Sequence, residues 1–241
     1  STAPTVTLTN SDSDNLIAAS DTVTITTAFD EAMTSTPTIS ISGTSISNQV
    51  MTKIIGGSGL GSHTLLGADI DGEASDDQSG WSVSFSSDGS RVAIGAHAND
   101  GNGTNSGHVR IYDYNGSAWV QVGADIDGEA ASDQSGWSVS LSSDGSRVAI
   151  GATLNDDGPG STSGHVRIYD YNGSAWVQVG ADIDGEAAGD QSGRSVSLSS
   201  DGSRVAIGAQ DNDGNGSNSG HVRIYNFNGS VWVQVGADID G

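Results

Sequence analysis

The chain has 241 residues, enough for one large or two small domains with a core, and its lack of cysteine excludes disulfides, thiolate catalysis and Cys-ligated zinc. One Lys and seven Arg face 26 Asp and four Glu, a formal net charge of −22, so the sequence predicts no nucleic-acid partner; it also has no apolar run long enough for membrane insertion. Leu, Ile, Val and Phe make up about a fifth of the chain, which with this charge signals disorder, so pattern must decide the fold.

Residues 1–55 carry three alternating stretches, Val6–Thr9, Asp21–Phe29 and Thr38–Ser42, between Asp, Ser, Asn and Pro turns, which predict half-buried strands. This segment resembles the opening half of the bacterial Ig-like domains of large surface adhesins. Its start, Ser-Thr-Ala-Pro without Met, suggests a processed protein or a piece of a longer one. Residues 56–66 read as a Gly/Ser linker followed by a degenerate strand.

From there the sequence repeats. Gly-Ala-Asp-Ile-Asp-Gly begins at Gly67, Gly123, Gly180 and Gly236, at spacings of 56, 57 and 56 residues. The units are 67–122, 123–179 and 180–235, and the last six residues read as the start of a fourth. In the first unit Ser82–Ser86 alternates strictly, and an Asp-Gly turn leads into Arg91–Ala96. A polar loop over 97–106 leads to Gly107–Tyr114, and Asn115-Gly116 turns the chain into Trp119–Val122. The period of two, with Gly, Ser and Asn breaking every helical register, predicts an all-β fold. Its unit is a four-stranded antiparallel propeller blade of about 56 residues, present three times after a short N-terminal β segment. In the second strand one face is Val92 and Ile94 and the other is Ala93, Gly95 and Ala96, so small residues let blades stack closely. Three blades cannot close a ring, so either the natural protein continues beyond Gly241 or two copies form a homodimer that completes a six-bladed ring.

The residues that follow carry a family resemblance. Gly-x-Val-x-Ile-Tyr and Trp-Val-Gln recur in each copy. Ser79-Gly80, Ser135-Gly136 and Ser192-Gly193 stand where a Phe-Gly pair belongs, and Gly95-Ala96, Gly151-Ala152 and Gly208-Ala209 where Gly-Ala-Pro belongs. Residues 60–241 resemble the FG-GAP repeat family, bacterial relatives of the integrin α-subunit β-propeller. The resemblance implies a propeller fold and places the family's calcium loop between the first two strands of a blade. Here that place holds Ser-Ser-Asp-Gly-Ser, at 86–90, 142–146 and 199–203, too short and too poor in carboxylates for the ion.

Calcium is therefore sought elsewhere. Asp211-Asn212-Asp213-Gly214-Asn215-Gly216 matches the first half of an oxygen-rich calcium loop, which makes Asp211, Asp213 and Asn215 candidate ligands. Asp157 in the second copy and Asp100 and Asn102 in the first are weaker counterparts; the alternative is a plain Asx-turn connection. A second acidic cluster, Asp69-Ile-Asp71-Gly-Glu73 and its copies at Asp125 and Asp182, reads as an inter-blade loop, with cation binding or carboxylate-pair chemistry as the alternatives. Asp77, Asp133 and Asp190 read as turn caps. His108, His165 and His221 fall at one position in three copies, whereas catalysis needs a single asymmetric constellation, and no Gly-x-Ser-x-Gly elbow is present. Six of the seven Arg recur and are expected to pair with Asp between strands; the seventh, Arg194, replaces Trp81 and Trp137 of the other copies.

The sequence thus reads as a non-enzymatic, extracellular or cell-surface propeller scaffold for adhesion or recognition of a cell-surface glycan or protein ligand, with calcium as the candidate stabilising ion. A carbohydrate-binding module built on the loop Asp/Asn and Trp residues is the alternative, followed by a polysaccharide-acting enzyme.

Overall fold

The computed structural model describes residues 65–241, and before them only two strands, β1 (Thr5–Thr9) and β2 (Thr24–Ala28), which pair antiparallel with Leu8 opposite Ile25. The rest of residues 1–64, on which the expected Ig-like half-domain and most of the linker fall, lies outside the described residues. Residues 1–64 and 65–241 form two separate units.

The second unit contains three antiparallel sheets and, among the described residues, no helix. The first comprises β3 (Ser82–Phe85), β4 (Arg91–Ala96), β5 (His108–Tyr114), β6 (Trp119–Gln121) and β7 (Ile126–Asp127). The second comprises β8 (Ser135–Leu141), β9 (Arg147–Ala152), β10 (His165–Tyr171), β11 (Trp176–Gln178) and β12 (Ile183–Asp184). The third comprises β13 (Ser195–Leu198), β14 (Arg204–Ala209), β15 (His221–Phe227), β16 (Trp232–Gln234) and β17 (Ile239–Asp240).

In each sheet the first four strands lie in chain order, and the short fifth pairs with the third on the same edge as the fourth. The fourth strand is thus one edge broken in two, because Gly123 at φ +77 turns the chain out and Ile126 and Asp127 return to Val109 and His108. The recurring hexapeptide therefore closes the preceding sheet: Gly236–Gly241 finishes the third blade, where the sequence phase suggested the start of a fourth. A periodic sequence has no natural cut point, and strand pairing decides where a blade ends.

Alternation sorts each strand. Val148 and Ile150 of β9 project into one core with Ala93, Val109, Ile111 and Ile126 of the first sheet, and Val205 and Ile207 pack likewise on Ala149, Val166, Ile168 and Ile183. The branched face of each blade therefore packs on the small-residue face of the one before. Val148 and Val205 are fully buried, each contributing roughly 1.5–3 kcal/mol of burial.

Glycine sets the spacing. A Cβ on Gly95 would enter the Gly136 carbonyl, and one on Gly151 the Gly193 carbonyl. Next to these glycines Ser82 Oγ donates to Gly136 O and Ser138 Oγ to Gly193 O, both at 2.7 Å. Parallel bridges between Gly107 and Ser135 and between Gly164 and Ser192 extend the contact. At the outer rim Arg91 forms a bidentate pair with Asp113 at 2.6 and 2.7 Å and donates to Gly145 O of the next blade at 3.0 Å. Its guanidinium lies over the Tyr171 ring, and Trp176 Nε1 donates back to Val122 O at 2.9 Å. Arg147 repeats this with Asp170 and Gly202, as the strand pairing of Arg with Asp anticipates. Arg204 meets Asn226 instead. Leu66 O accepts from Trp119 Nε1 as Val122 O does from Trp176, so the repeat phase extends back to Leu66.

Gly151→Ala is expected to cost about 2 kcal/mol or more, because backbone must move to admit the methyl group, whereas Ser138→Ala is expected to cost about 1 kcal/mol for one lost hydrogen bond. Urea denaturation monitored by circular dichroism measures both.

Candidate metal centre

Each third strand begins with a histidine whose backbone pairs with the short fifth strand, His108 opposite Asp127, His165 opposite Asp184 and His221 opposite Asp240. Gly107 and Gly164, at φ +74 and +71, bring the chain into this position against the neighbouring blade. The imidazoles are buried, while two carboxylates from the hexapeptide loops approach them. His165 Nδ1 lies 3.9 Å from Glu129 Oε2 and 3.8 Å from Asp182 Oδ2. Glu73 and Asp125 flank His108, and Glu186 and Asp238 flank His221, at 3.7–3.8 Å. In each of these three acidic/His groups the candidate ligand atoms lie within 4.8 Å of one another, and such a group could hold a metal ion.

The carboxylates are held from behind. Arg167 Nη1 approaches Glu129 Oε1 at 3.2 Å while Nη2 donates to Asp127 O at 2.8 Å. Gln178 Nε2 donates to Asp182 Oδ1 at 2.5 Å. Burial, reinforced by the Arg167 charge, pushes His165 down to about 4 against the pull of Asp182 and Asp157, so the ring is neutral at pH 7. Burial also raises Glu129, with Asp182, Asp157 and Asp133 adding to the rise and Arg167 opposing it. Tyr169, under the same guanidinium, is pushed up to about 12 by burial.

The variable-loop residues have other partners. Asp211 Oδ2 accepts from Gln191 Nε2 at 2.6 Å, Asp213 Oδ1 from Asn218 N at 2.7 Å, and Asn215 Nδ2 donates to Gly241 O at 2.9 Å. Asp100 Oδ1 accepts from Asn105 N at 2.7 Å, and Asn102 Nδ2 donates to Gly128 O at 2.8 Å. Asp157 is the member whose charge reaches His165 and Glu129. Sequence reasoning set the hexapeptide carboxylates and the histidines in separate lists; their shared threefold copying was the signal that could have joined them. It also missed Asn99, Asn155 and Asn212, buried side chains that donate to Asp77, Asp133 and Asp190, the turn-capping carboxylates.

The turns at the family's calcium position do not fit that ion. Asp88 Oδ1 accepts from Ser86 Oγ, Ser90 N and Ser90 Oγ within 3.0 Å, and Asp144 and Asp201 repeat the arrangement. These carboxylates close their own hairpins.

A third repeated feature lines the first strands. Trp81 and Trp137 stand 5.0 Å apart with His97 against both rings, and the Arg194 guanidinium lies 4.2 Å from the Trp137 ring centroid. The substituted position thus continues an aromatic ladder as a cation–π contact.

Compared with known proteins, the chain matches the family model described as FG-GAP repeat over residues 68–112, 125–169 and 182–225, more than half of its length. The chain belongs to the FG-GAP repeat family. No curated protein matches it. Among solved structures it is similar to a putative 6-phosphogluconolactonase from Bacteroides uniformis, at 15% identity and TM-score 0.46 over 66% of this chain and 40% of that one. It is also similar to the hydrazine synthase of Kuenenia stuttgartiensis, at 14% identity and TM-score 0.36 over 74% of this chain and 53% of that one. These likenesses are too slight to carry a functional argument, and the chain spans about half or less of either structure. The FG-GAP assignment accords with the three sheets and their repeated inter-blade contacts.

The acid limb of stability is set in part by the FG-GAP hairpins. Hydrogen bonds from Ser90 and Ser86 hold Asp88 at about 2, and those from Ser199 and Ser203 hold Asp201 at about 2, against an ordinary 3.8. A carboxyl lowered in the folded state stabilises above its unfolded value, and that contribution is lost as pH falls through the folded one. Melting temperature is expected to fall between pH 4 and pH 2, less steeply in Asp88→Asn/Asp201→Asn. Glu129, Asp133 and Asp184, which burial raises above their ordinary 4.5 and 3.8, act with the opposite sign and mainly above that window, where stability rises as pH falls through their folded values. Thermal melts across that range read the difference.

Proposed function

We propose that this FG-GAP protein is a non-enzymatic, extracellular or cell-surface scaffold whose copied blades serve adhesion or recognition of a cell-surface glycan or protein. The supporting observation is the threefold copying of its polar constellations: the Glu–His–Asp groups, the Asp–Asn caps and the hairpin turns all recur blade by blade. Copying multiplies weak contacts into avidity, whereas chemistry at one bond needs a single asymmetric site. FG-GAP repeats are generally non-enzymatic and typically extracellular. Among the described residues no helix is long and apolar enough to cross a membrane.

A carbohydrate-binding reading draws on the Trp81–Trp137–Arg194 ladder, since Trp81 is half exposed and offers an aromatic face. Arrays of glycans and of extracellular proteins, probed with the chain alone and displayed on a tetrameric carrier, test both readings. The carrier is expected to raise apparent affinity about 100-fold. Loss of glycan binding in Trp81→Ala would favour the carbohydrate reading. Silence of the multivalent form on both arrays, or release of reducing ends from a polysaccharide, would overturn the scaffold.

We further propose that a second copy covers the end faces. Val83 and Phe85 are 61% and 57% exposed where Val139 and Leu141 are buried, and Ile239 is 57% exposed where Ile126 and Ile183 are buried. The first sheet thus offers the face that the second blade buries and the third half-buries, and the third sheet offers its receptor, a concavity lined by Gly208, Gly220, Val222 and Ile239. Two chains joined head to tail would complete six blades with two-fold closure. Light scattering is expected to give twice 24.3 kDa. Gly208→Ala, whose methyl group would first meet the Ser195 hydroxyl, the rotatable end of a small side chain that can turn aside, should stay folded and become monomeric. A monomeric parent, or a dimer indifferent to Gly208→Ala, would refute the pairing.

A further inference from the structure

We infer that the pocket formed by Glu129, His165 and Asp182 binds a divalent transition-metal ion of the zinc class, with His165 Nδ1, Glu129 Oε2 and Asp182 Oδ2 as its three protein ligands. The imidazole carries the argument. Its side chain is 1% exposed, and Nδ1 is buried without a hydrogen-bond partner. A buried orphan nitrogen costs free energy and is rare in a settled structure. The two oxygens it faces, at 3.9 and 3.8 Å, are too distant for hydrogen bonds. That separation is close to the ligand–ligand distance around an ion whose bonds are about 2.0–2.2 Å.

The orientation of the carboxylates agrees. Each spends one oxygen on a positioning group, Oε1 of Glu129 on Arg167 and Oδ1 of Asp182 on Gln178, and turns the other toward the imidazole. Such outer contacts fix the direction of metal-binding carboxylates. Two carboxylates against one guanidinium leave a net negative pocket, and the Asp157 charge, felt at both His165 and Glu129, deepens it in this blade. One nitrogen and two oxygens suit zinc and its neighbours, whereas calcium and magnesium prefer an all-oxygen shell. Glu129 is a third exposed, so ions have an entry path and a further coordination position can face water. The groups around His108 and His221 repeat the arrangement, with Gln121 and Gln234 behind Asp125 and Asp238.

The test uses the full chain, stripped with a chelator and dialysed against micromolar zinc. Elemental analysis after desalting is expected to find at least one zinc per chain. His165→Gln and Asp182→Asn, checked for folding by circular dichroism, are each expected to retain one fewer and to weaken the lost site at least tenfold. Zinc absorption spectroscopy should show light-atom ligands with imidazole scattering, a readout that needs no variant. Calcium at equal concentration should neither displace zinc nor match its effect on melting temperature. No retained zinc, unchanged stoichiometry in both folded variants, absent imidazole scattering, or displacement by calcium would each overturn the site.

Discussion

The structure depends on how closely one blade can approach the next. At Gly95 and Gly151 the backbone of the following sheet lies where a side chain would start, and a serine hydroxyl on the adjacent strand joins the same carbonyl. That approach lets Ala93, Val109 and Ile111 meet Val148 and Ile150 directly, with Tyr169 in the same core. A chain poor in bulky apolar residues can then bury enough surface, because the second sheet is covered on both faces, by the first in one core and by the third in the other. The carboxylates that make the composition look disordered are given local work: Asp88 caps a hairpin turn, and Asp113, within β5, holds Arg91 of the adjacent strand.

The same approach creates the polar pockets. Because the hexapeptide closes one sheet before leading into the next, its first Asp and the Glu that follows it reach histidines on two successive third strands: Asp125 stands by His108 and Glu129 by His165. The pocket at His165 therefore draws Glu129 from the connection between the first two blades, whereas the pocket at His108 draws Glu73 from the stretch that precedes the first. At His165 site and inter-blade connection are one assembly, and an ion bound there would report on docking as well as on chemistry.

Much of this was legible in the sequence. Alternation located β3 to β6 and their copies, and the Asp-Gly turns placed the hairpins; of the six recurring Arg expected to pair with Asp, Arg91 and Arg147 do, Arg204 meets Asn226, and Arg110, Arg167 and Arg223 approach Glu73, Glu129 and Glu186. The break in the fourth strand was not legible, because Gly123 and Gly180 read as punctuation between units when their positive φ in fact returns the chain to the same sheet. Nor was the Glu129–His165–Asp182 convergence, since Asp182, 17 positions from His165, returns to it only through the pairing of β12 with β10, and Glu129, 36 positions away, arrives from the connection between blades. The calcium-like spacing around Asp213 has two readings in sequence, an ion-binding turn or a closure of the loop on itself, and in the structure Asp213 Oδ1 accepts from Asn218 N.

The near identity of the blades has a kinetic consequence. Faces that fit their sequence neighbour fit any other copy almost as well, so a folding chain must discriminate among docking partners of nearly equal energy. Loop length helps, since a short connection makes the adjacent blade the first to be met. The departures from strict repetition act as labels: Arg194 sits on Trp137 where a tryptophan would repeat, Asn226 replaces an aspartate beside Arg204, and the second variable loop is one residue longer than the others. Small irregularities in a periodic sequence give each blade an address, and order along the chain becomes order in space.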